Sequence, residues 1–423
     1  MIKYRLQFLC LSIIIFTMMP ANAQYHKKLK KMAEVNHLIG MSLVVINNGE
    51  IKDVFHYGKA NIERNIKVDN STMFRIASIS KTVTATALMK LYEQNLFKLD
   101  DDISNYLGYK VSNPNFPDKA ITFRMLLTHT SSLLDGDAYD KFLAASYNQN
   151  PPPALKQLLT ADGEFYNKEI WNNKTPGTYF TYCNLNFGIL GTLIEKIDGK
   201  RFDIFIKENI SEPLGISGSF NVCDIKNINK LATLYRNSEP TVDDKKGISP
   251  TQRDLSQYKI GDNGIIYGPQ GGFRVSALDL SKYMLMHMNG GVINDVKILD
   301  TATIALMHSL QWKFNGNNGD NYHNLFNAWG LGFHLITNSK NGDIIFDSAE
   351  MLGHSGDAYG LISSMFFDKC GKFGFVFICN GYSGEKEFTN GVNSAFYKPE
   401  VEVFKLIEKY EYKAFKKENG RMK

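Results

Sequence analysis

The amino-acid sequence predicts a mixed α/β fold of the α+β class, in which an antiparallel sheet is flanked by helices and carries a large helical subdomain as an insertion. Strand-like segments lie near both ends of the chain, helical periodicity dominates the middle, and turn-rich stretches separate the helical runs. We expect one domain over residues 24–423, with a sheet region at 24–76 and 325–415 and a mostly helical region at 77–324.

The strand predictions depend on short runs of β-branched and aromatic residues. Residues 41–47 and 50–57 flank Asn48-Gly49, a preferred two-residue turn of β-hairpins. Near the other end of the chain, we expect strands at residues 343–346, 360–368 and 373–380. Pairing of these segments would make one sheet from the two ends of the chain.

Helical periodicity predicts the insertion and a helix near the C-terminus. In the middle of the chain, apolar residues recur at helical spacing over residues 82–94, 122–127, 185–197, 202–208 and 277–288. Near the C-terminus, one helical face carries Val403, Leu406, Ile407 and Tyr410. The middle of the chain is therefore expected to cover the sheet with helices.

The first residues predict export. Lys3 and Arg5 precede an apolar run at residues 6–19, and Ala21-Asn22-Ala23 supplies the small residues of a cleavage site. We expect a signal peptide at residues 1–23, cleavage after Ala23, and a periplasmic or secreted protein. Because the apolar run is short, we expect no stable membrane span after cleavage.

Charge and composition exclude several function classes. The chain has 48 basic and 43 acidic residues, a balance that does not indicate a nucleic-acid-binding surface. Histidines show no metal-ligand spacing, so we expect no metal and no cofactor. Four cysteines follow the predicted cleavage site, too few for a disulfide framework, and we expect mostly free, buried thiols. A bridge between Cys370 and Cys379 stays open in an exported protein.

Ser78 and Lys81 form the first candidate catalytic pair. Residues three apart lie on one side of a helix, so the Ser78 hydroxyl and the Lys81 amine can form a hydrogen bond. A serine hydroxyl becomes a useful nucleophile when a neighbouring neutral amine takes its proton. The same spacing recurs at Ser256 and Ser383, but only Ser78 precedes a charge-free run of small and apolar residues, which favours burial and a neutral lysine.

Two further motifs add candidate residues. Tyr182-Cys183-Asn184 offers a phenol that could transfer a proton and an amide that could orient a lysine or a substrate, although Tyr322-His323-Asn324 repeats the pattern. Gly353-His354-Ser355-Gly356 precedes a predicted strand, where His354 and Ser355 could bind a carboxylate or carbonyl. The alternative interpretation of the third motif is a tight turn between strands.

In chain order, these three motifs resemble the Ser-x-x-Lys, Tyr-x-Asn and Lys-Thr-Gly or His-Thr-Gly elements of the penicillin-recognising serine hydrolases. That family includes class C β-lactamases, D,D-carboxypeptidases and related esterases. Intervening stretches resemble it too, including Leu126-Leu127-Thr128-His129-Thr130-Ser131 and Gln270-Gly271-Gly272-Phe273. The resemblance covers most of residues 41–380 and implies a β-lactamase/transpeptidase-like fold.

The resemblance also implies roles for individual residues. Ser78 would be the acylated nucleophile, Lys81 and Tyr182 would transfer protons, and Tyr182 would be the base that activates water for release of the acyl group. Substrate binding would fall to Asn184, His354, Ser355 and Gly356. The oxyanion would be held by the backbone N–H groups of Ser78 and Asp357. The resemblance makes His129 structural.

Two departures from the family pattern bear on the substrate. His354 replaces the lysine usual in β-lactamases of this group, so a carboxylate would meet a positive charge only when His354 is protonated. Cys183 replaces the commoner serine or alanine. The sequence thus argues against a dedicated β-lactamase.

The expected activity is that of an exported active-site serine hydrolase that forms an acyl-enzyme with an amide or ester. A D-amino-acid-containing cell-wall peptide is the favoured substrate, and peptidoglycan is a candidate partner. The alternatives are a broad-specificity esterase, a hydrolase of β-lactams, or a catalytically silent penicillin-binding or sensor protein. The sequence contains no Gly-x-Ser-x-Gly element, the motif that would indicate a Ser-His-Asp hydrolase.

Overall fold

The computed structural model describes residues 21–241, 254–339, 342–387 and 394–420. Residues 1–20 lie outside these ranges, so the predicted signal peptide stays a prediction. In the described part of the chain, no helix is both long and apolar enough to cross a membrane.

A nine-stranded antiparallel sheet organises the molecule, and its strands run in the order β10-β11-β12-β13-β14-β15-β1-β2-β3. The chain closes this sheet by pairing β1 with β15, for example Val44 with Val376. The strands, including three short two-stranded pairs elsewhere in the described residues, are β1 (Gly40–Asn47), β2 (Glu50–Asn61), β3 (Ile66–Lys67), β4 (Met73–Arg75), β5 (Tyr235–Arg236), β6 (Glu239–Pro240), β7 (Arg274–Ser276), β8 (Val292–Ile293), β9 (Val296–Lys297), β10 (Trp312–Lys313), β11 (Ala328–Trp329), β12 (His334–Leu335), β13 (Met351–Ala358), β14 (Leu361–Asp368) and β15 (Phe373–Cys379).

The helices cover both faces of the sheet. Their bounds in the described residues are α1 (Ala21–Val35), α2 (Ser80–Glu93), α3 (Ser104–Leu107), α4 (Phe123–Leu127), α5 (Asp137–Asn148), α6 (Lys156–Leu159), α7 (Asn184–Asp198), α8 (Phe202–Ile206), α9 (Ala277–Met288), α10 (Thr301–His308), α11 (Lys398–Ile407) and α12 (Lys413–Gly420). Strand β1 shows the consequence: Val44 and Ile46 join the core on the side of α2 and α7, whereas Leu43 and Val45 join the core under α1 and α11. Burial on both faces explains why most residues of β1 are apolar.

The hairpin predicted at Asn48-Gly49 is present between β1 and β2. Both turn residues have positive φ, +52° at Asn48 and +78° at Gly49, the backbone that a two-residue turn between twisted strands requires. The predicted strands near the C-terminal end appear as β14 and β15. The antiparallel sheet with flanking helices confirms the predicted fold class.

One strand prediction was wrong, and one alternative interpretation of the third motif is excluded. Residues 343–346, which lie within the described ranges, form an irregular segment with bends instead of a strand. Gly353-His354-Ser355-Gly356 is not a turn between strands but the middle of β13, which pairs with β14 over its whole length. The two glycines weakened the strand signal in the sequence, because glycine usually interrupts strands.

The four cysteines of the described residues are free, with Cys183 and Cys379 buried and Cys223 and Cys370 exposed. The expectation of buried thiols therefore holds for only two of them. Cys370 lies in the turn before β15 and Cys379 ends that strand, so roughly 20 Å of extended chain separates them. A disulfide needs Cα atoms within about 7 Å, which rules out the bridge left open from the sequence.

Candidate active site

Ser78 lies in a short 3-10 turn, Ala77–Ile79, that leads directly into α2. The Ser78 residue is partly exposed, whereas Ala77 and Ile79 on either side of it are buried. Ala77 has φ of +46°, a left-handed conformation that residues other than glycine seldom adopt. The turn thus presents the Ser78 hydroxyl at the edge of a packed core.

Lys81 is fully buried at the start of α2, and its amine reaches three acceptors. The Nζ atom lies 3.0 Å from Ser78 Oγ, 2.7 Å from Asn184 Oδ1 and 2.7 Å from the carbonyl oxygen of Gln270. Burial lowers the pKa of Lys81 to about 7, and the negative charge of Asp135 opposes part of that effect. A substantial fraction of Lys81 is therefore neutral at neutral pH.

The three acceptors also determine where the neutral amine can take a proton. The Asn184 and Gln270 oxygens only accept hydrogen bonds, so a neutral Lys81 must donate its two N–H groups to them. The remaining direction, toward Ser78 Oγ, is then occupied by the lone pair. This arrangement makes Lys81 a candidate general base for Ser78.

Tyr182 approaches Ser78 and Lys81 from the segment before α7. Its hydroxyl is hydrogen-bonded to Ser78, and its ring centroid lies 4.8 Å from Lys81 Nζ. The ring is held between His129 and Phe326, with centroid distances of 4.4 and 5.1 Å. Burial raises the pKa of Tyr182 far above its usual value, so the phenol stays protonated. The Tyr182 phenol is therefore able to donate or relay a proton, and it is not a standing phenolate base.

His129 supports Tyr182 from behind. It is buried, its Nδ1 accepts a hydrogen bond from the Cys183 backbone N–H at 3.1 Å, and its ring stacks on Tyr182. Burial and the nearby charge of Lys81 hold the pKa of His129 well below its usual range. These contacts agree with the structural role implied for His129.

Strand β13 passes directly beside the Ser78 turn. A Cβ atom added at Gly356 would lie 2.5 Å from the Ile76 carbonyl oxygen and 3.1 Å from Ala77 Cβ, so only glycine permits this approach. Ser363 Oγ on the adjacent strand donates to the same Ile76 carbonyl at 3.0 Å. The role of Gly356 is therefore close packing of β13 against the Ser78 turn.

The structure disfavours the protonated form of His354, the form that the sequence analysis required for binding a substrate carboxylate. His354 is buried, and burial together with the charge of Lys81 holds its pKa well below the usual histidine value. Its Nδ1 faces the Ser355 carbonyl oxygen, which can only accept, so Nδ1 carries the hydrogen and Nε2 is an acceptor. That Nε2 atom is buried and has no hydrogen-bond partner within the described residues. Ser355 beside it is partly exposed and Asp357 is exposed.

The competing serine motifs lie in different surroundings, whereas Tyr322 of the second Tyr-x-Asn pattern borders the site. Ser256 and Ser383 are exposed, and neither Lys259 nor Lys386 is buried. Tyr322 packs edge-on against Tyr182 at 6.4 Å. The structure therefore brings together Ser78, Lys81, Tyr182 and Asn184, the set favoured by the sequence.

Two components of the site were not assigned roles from the sequence. The Gln270 backbone carbonyl binds Lys81, a contact that no side-chain pattern can reveal. Asp135 binds the Asn184 side chain and backbone from a separate loop. A single acidic residue carries no spacing signal, so only the tertiary structure could identify it. Among the described residues, no group of three or more His, Cys, Asp or Glu side chains could hold a metal ion.

Substitution of Gly356 tests the packing of β13 against the Ser78 turn. Because the new methyl group of Gly356→Ala would meet Ser363 Oγ at 2.4 Å and the Ile76 carbonyl oxygen at 2.5 Å, β13 must move away from Ser78. A displacement of this size is expected to lower kcat/KM by roughly 100-fold, measured with an ester substrate. Gly420→Ala, where the added atom meets nothing within 4 Å, is the matched control. Wild-type activity in Gly356→Ala would contradict this role.

The sheet order, the flanking helices and the Ser78–Lys81–Tyr182 cluster define a protein of the β-lactamase and penicillin-binding fold class. The chain belongs to the Beta-lactamase family, whose sequence model matches residues 26–393. Penicillin-binding protein 4 of Amycolatopsis lactamdurans is 23% identical over 359 residues, 81% of each chain. Protein flp of Staphylococcus aureus (strain N315) is 25% identical over 191 residues, 45% of this chain. The chain thus spans only about a third, 36%, of the length of that relative.

Solved structures with this fold include an amidase and a penicillin-binding protein homologue. The D-amino acid amidase of Ochrobactrum anthropi SV3, complexed with L-phenylalanine amide, has a TM-score of 0.66 and 19% identity, covering 93% of this chain and 99% of the amidase. The octameric penicillin-binding protein homologue from Pyrococcus abyssi has a TM-score of 0.61 and 22% identity, covering 85% and 73%. At these identities the likeness concerns the fold.

Proposed function

We propose that this protein is a serine hydrolase that forms an acyl-enzyme at Ser78 from an amide or ester. The observation that carries the proposal is the buried Lys81 amine, 3.0 Å from Ser78 Oγ, with two carbonyl acceptors that direct its lone pair toward that oxygen. A silent binding protein has no physical reason to keep a buried lysine, which is costly to desolvate, beside a serine and a tyrosine.

Acylation would proceed by attack of Ser78 Oγ on the substrate carbonyl carbon while its proton passes to neutral Lys81. The resulting oxyanion would be bound by the backbone N–H groups of Ser78 and Asp357, a role supported by the close approach of Gly356 to the Ser78 turn. Tyr182 would deliver a proton to the leaving amine or alcohol, and Lys81 would restore it to Tyr182 as the scissile bond breaks.

Release of the acyl group would use the same residues in reverse. A water molecule would attack the acyl carbonyl carbon and pass a proton through Tyr182 to Lys81, after which the bond to Ser78 Oγ breaks and the serine regains its proton. Since the Tyr182 phenol stays protonated at neutral pH, the base in this step is the neutral lysine reached through Tyr182. This proposal differs from the role implied by the family resemblance, in which Tyr182 itself is the base.

A D-amino-acid-containing cell-wall peptide is the substrate we favour, since a penicillin-binding protein is among the relatives and an enzyme named as a D-amino acid amidase shares the fold. A second candidate is supported by the neutral state of His354, which gives a substrate carboxylate no fixed positive charge at that position. That observation favours an ester or amide that lacks a carboxylate beside the scissile bond.

Mass spectrometry tests both substrate and mechanism. The purified protein is exposed to β-lactams, a fluorophosphonate, p-nitrophenyl esters and D-Ala-D-Ala peptides, and the modified residue is located by peptide mapping. Covalent mass on Ser78 is expected, and turnover ranks the substrates. Unmodified Ser78 with all four classes would contradict the proposal.

We also propose export, so the protein recovered from the producing cells should begin at Gln24 in the same spectra.

The pH dependence of kcat/KM should follow Lys81. Its lowered pKa of about 7 means that the neutral base is lost below that pH, so activity should rise with pH through a single limb near pH 7. Because the pKa of Tyr182 is raised, no falling limb is expected from it up to about pH 9. An anionic and a neutral substrate should give parallel profiles, since His354 stays neutral throughout. A second limb seen only with the anionic substrate would contradict the neutral state of His354.

A further inference from the structure

Asp135 gathers several donors at the point where α7 begins. Its Oδ2 accepts from the Asn184 backbone N–H and from Asn184 Nδ2, both at 2.8 Å, while its Oδ1 accepts from the Leu185 backbone N–H at 3.0 Å and from Cys183 Sγ at 3.3 Å. Two of these donors are free N–H groups of the first turn of α7, where a negative charge is also favoured by the helix dipole. Asp135 therefore holds the whole Cys183–Leu185 segment.

These contacts determine which way the Asn184 amide points. A carboxylate only accepts hydrogen bonds, so the side of Asn184 that faces Asp135 must be its NH₂ group. The amide oxygen is then left on the opposite side, where it accepts from Lys81 Nζ at 2.7 Å. A flipped Asn184 would turn its NH₂ group toward the Lys81 amine and remove one of the two acceptors that orient the lone pair.

We propose that Asp135 is a positioning residue for catalysis, which acts through Asn184 to orient the Lys81 amine and through its charge to keep that amine basic. The inference builds on the proposed function, since it assigns the residue that prepares the proposed base. Asp135 itself does not need to touch the substrate. Its role is to maintain one amide orientation and one charge balance around the lysine.

Among the described residues that face Lys81, Asp135 is the acid whose charge can influence the amine. Tyr182 and Cys183 have raised pKa values and stay neutral at pH 7, while His129 and His354 have lowered pKa values and are neutral as well. A nearby negative charge stabilises an ammonium ion, so Asp135 opposes the effect of burial on Lys81. Removal of this charge should make the lysine less basic.

The pH profile of Asp135→Asn tests the proposal. The rising limb of kcat/KM should move to lower pH by about half a unit to one unit, because Lys81 loses its proton more readily without the carboxylate. The plateau should fall by roughly 10- to 100-fold, because the Asn184 amide is no longer held in one orientation. Asp135→Ser, which can still accept from the first N–H groups of α7, should show the same shift if Asp135→Asn fails to fold. Asp135→Glu, which keeps the charge, should restore the position of the limb.

Ser276→Ala is the control for simple destabilisation. Ser276 caps α9 by accepting a 3.0 Å hydrogen bond from the Asp279 N–H, so its loss should lower the thermal unfolding midpoint without moving the pH limb. If folded Asp135→Asn or Asp135→Ser still labels at Ser78 and its rising limb of kcat/KM stays at the wild-type pH, the inference about Asp135 is wrong. The proposed function would stand in that case. Failure of the wild-type protein to label at Ser78 would instead overturn the proposed function, and the inference with it.

Discussion

Replacement of Ser78 by alanine is expected to abolish covalent labelling and to lower turnover by roughly 10³- to 10⁶-fold, as removal of the nucleophile does in serine hydrolases. The physical reason is that Ser78 Oγ is the hydroxyl that lies 3.0 Å from the buried Lys81 amine and is hydrogen-bonded to Tyr182. The measurement is kcat/KM for a p-nitrophenyl ester, together with the mass shift after exposure to a fluorophosphonate.

Ser256→Ala and Ser383→Ala provide matched controls, because each serine also precedes a lysine by three residues. Both serines are exposed, and neither following lysine is buried, so their loss should leave labelling and turnover near the wild-type level. A folded Ser256→Ala protein as impaired as Ser78→Ala would show that the wrong serine has been identified. The thermal unfolding midpoint of each variant establishes whether it is folded.

Lys81→Ala should be nearly as damaging as loss of the nucleophile, since residues that act as one catalytic unit lose function together. The variant removes the base and leaves the Asn184 and Gln270 oxygens without their shared donor. Lys81→Met is the better variant for separating chemistry from packing, because it fills a similar volume without an amine. Acylation is followed as the initial burst of p-nitrophenol.

Lys259→Ala serves as the control, because Lys259 is exposed and follows Ser256 at the same spacing. Full acylation rates in folded Lys81→Met would exclude the lysine-assisted mechanism. The base role would then move to Tyr182, whose raised pKa argues against it. The acylation rate of Lys81→Met thus distinguishes a lysine base from a tyrosine base.

The fold class could be predicted from the sequence because the dominant signals are local. The Asn48-Gly49 turn and the apolar runs on either side of it specify the β1–β2 hairpin without reference to the rest of the chain. The Ser78-x-x-Lys81 spacing is likewise local, and the charge-free residues that follow predict the burial that lowers the Lys81 pKa. Ser78, Lys81, Tyr182 and Asn184 could be selected from the sequence for these reasons, together with the family resemblance.

The tertiary structure decided what depends on contacts between distant segments. His354 lies within a strand buried under its neighbours, so its charge state follows from packing that its own sequence context does not show. Asp135 and the Gln270 carbonyl reach the site from loops far from Ser78 along the chain. The sequence by itself determined the β1–β2 hairpin, strands β14 and β15 and the candidate nucleophile, because these depend on local spacing. Only the folded chain determined the orientation and protonation of the groups around Ser78, because both depend on desolvation and on hydrogen bonds between segments.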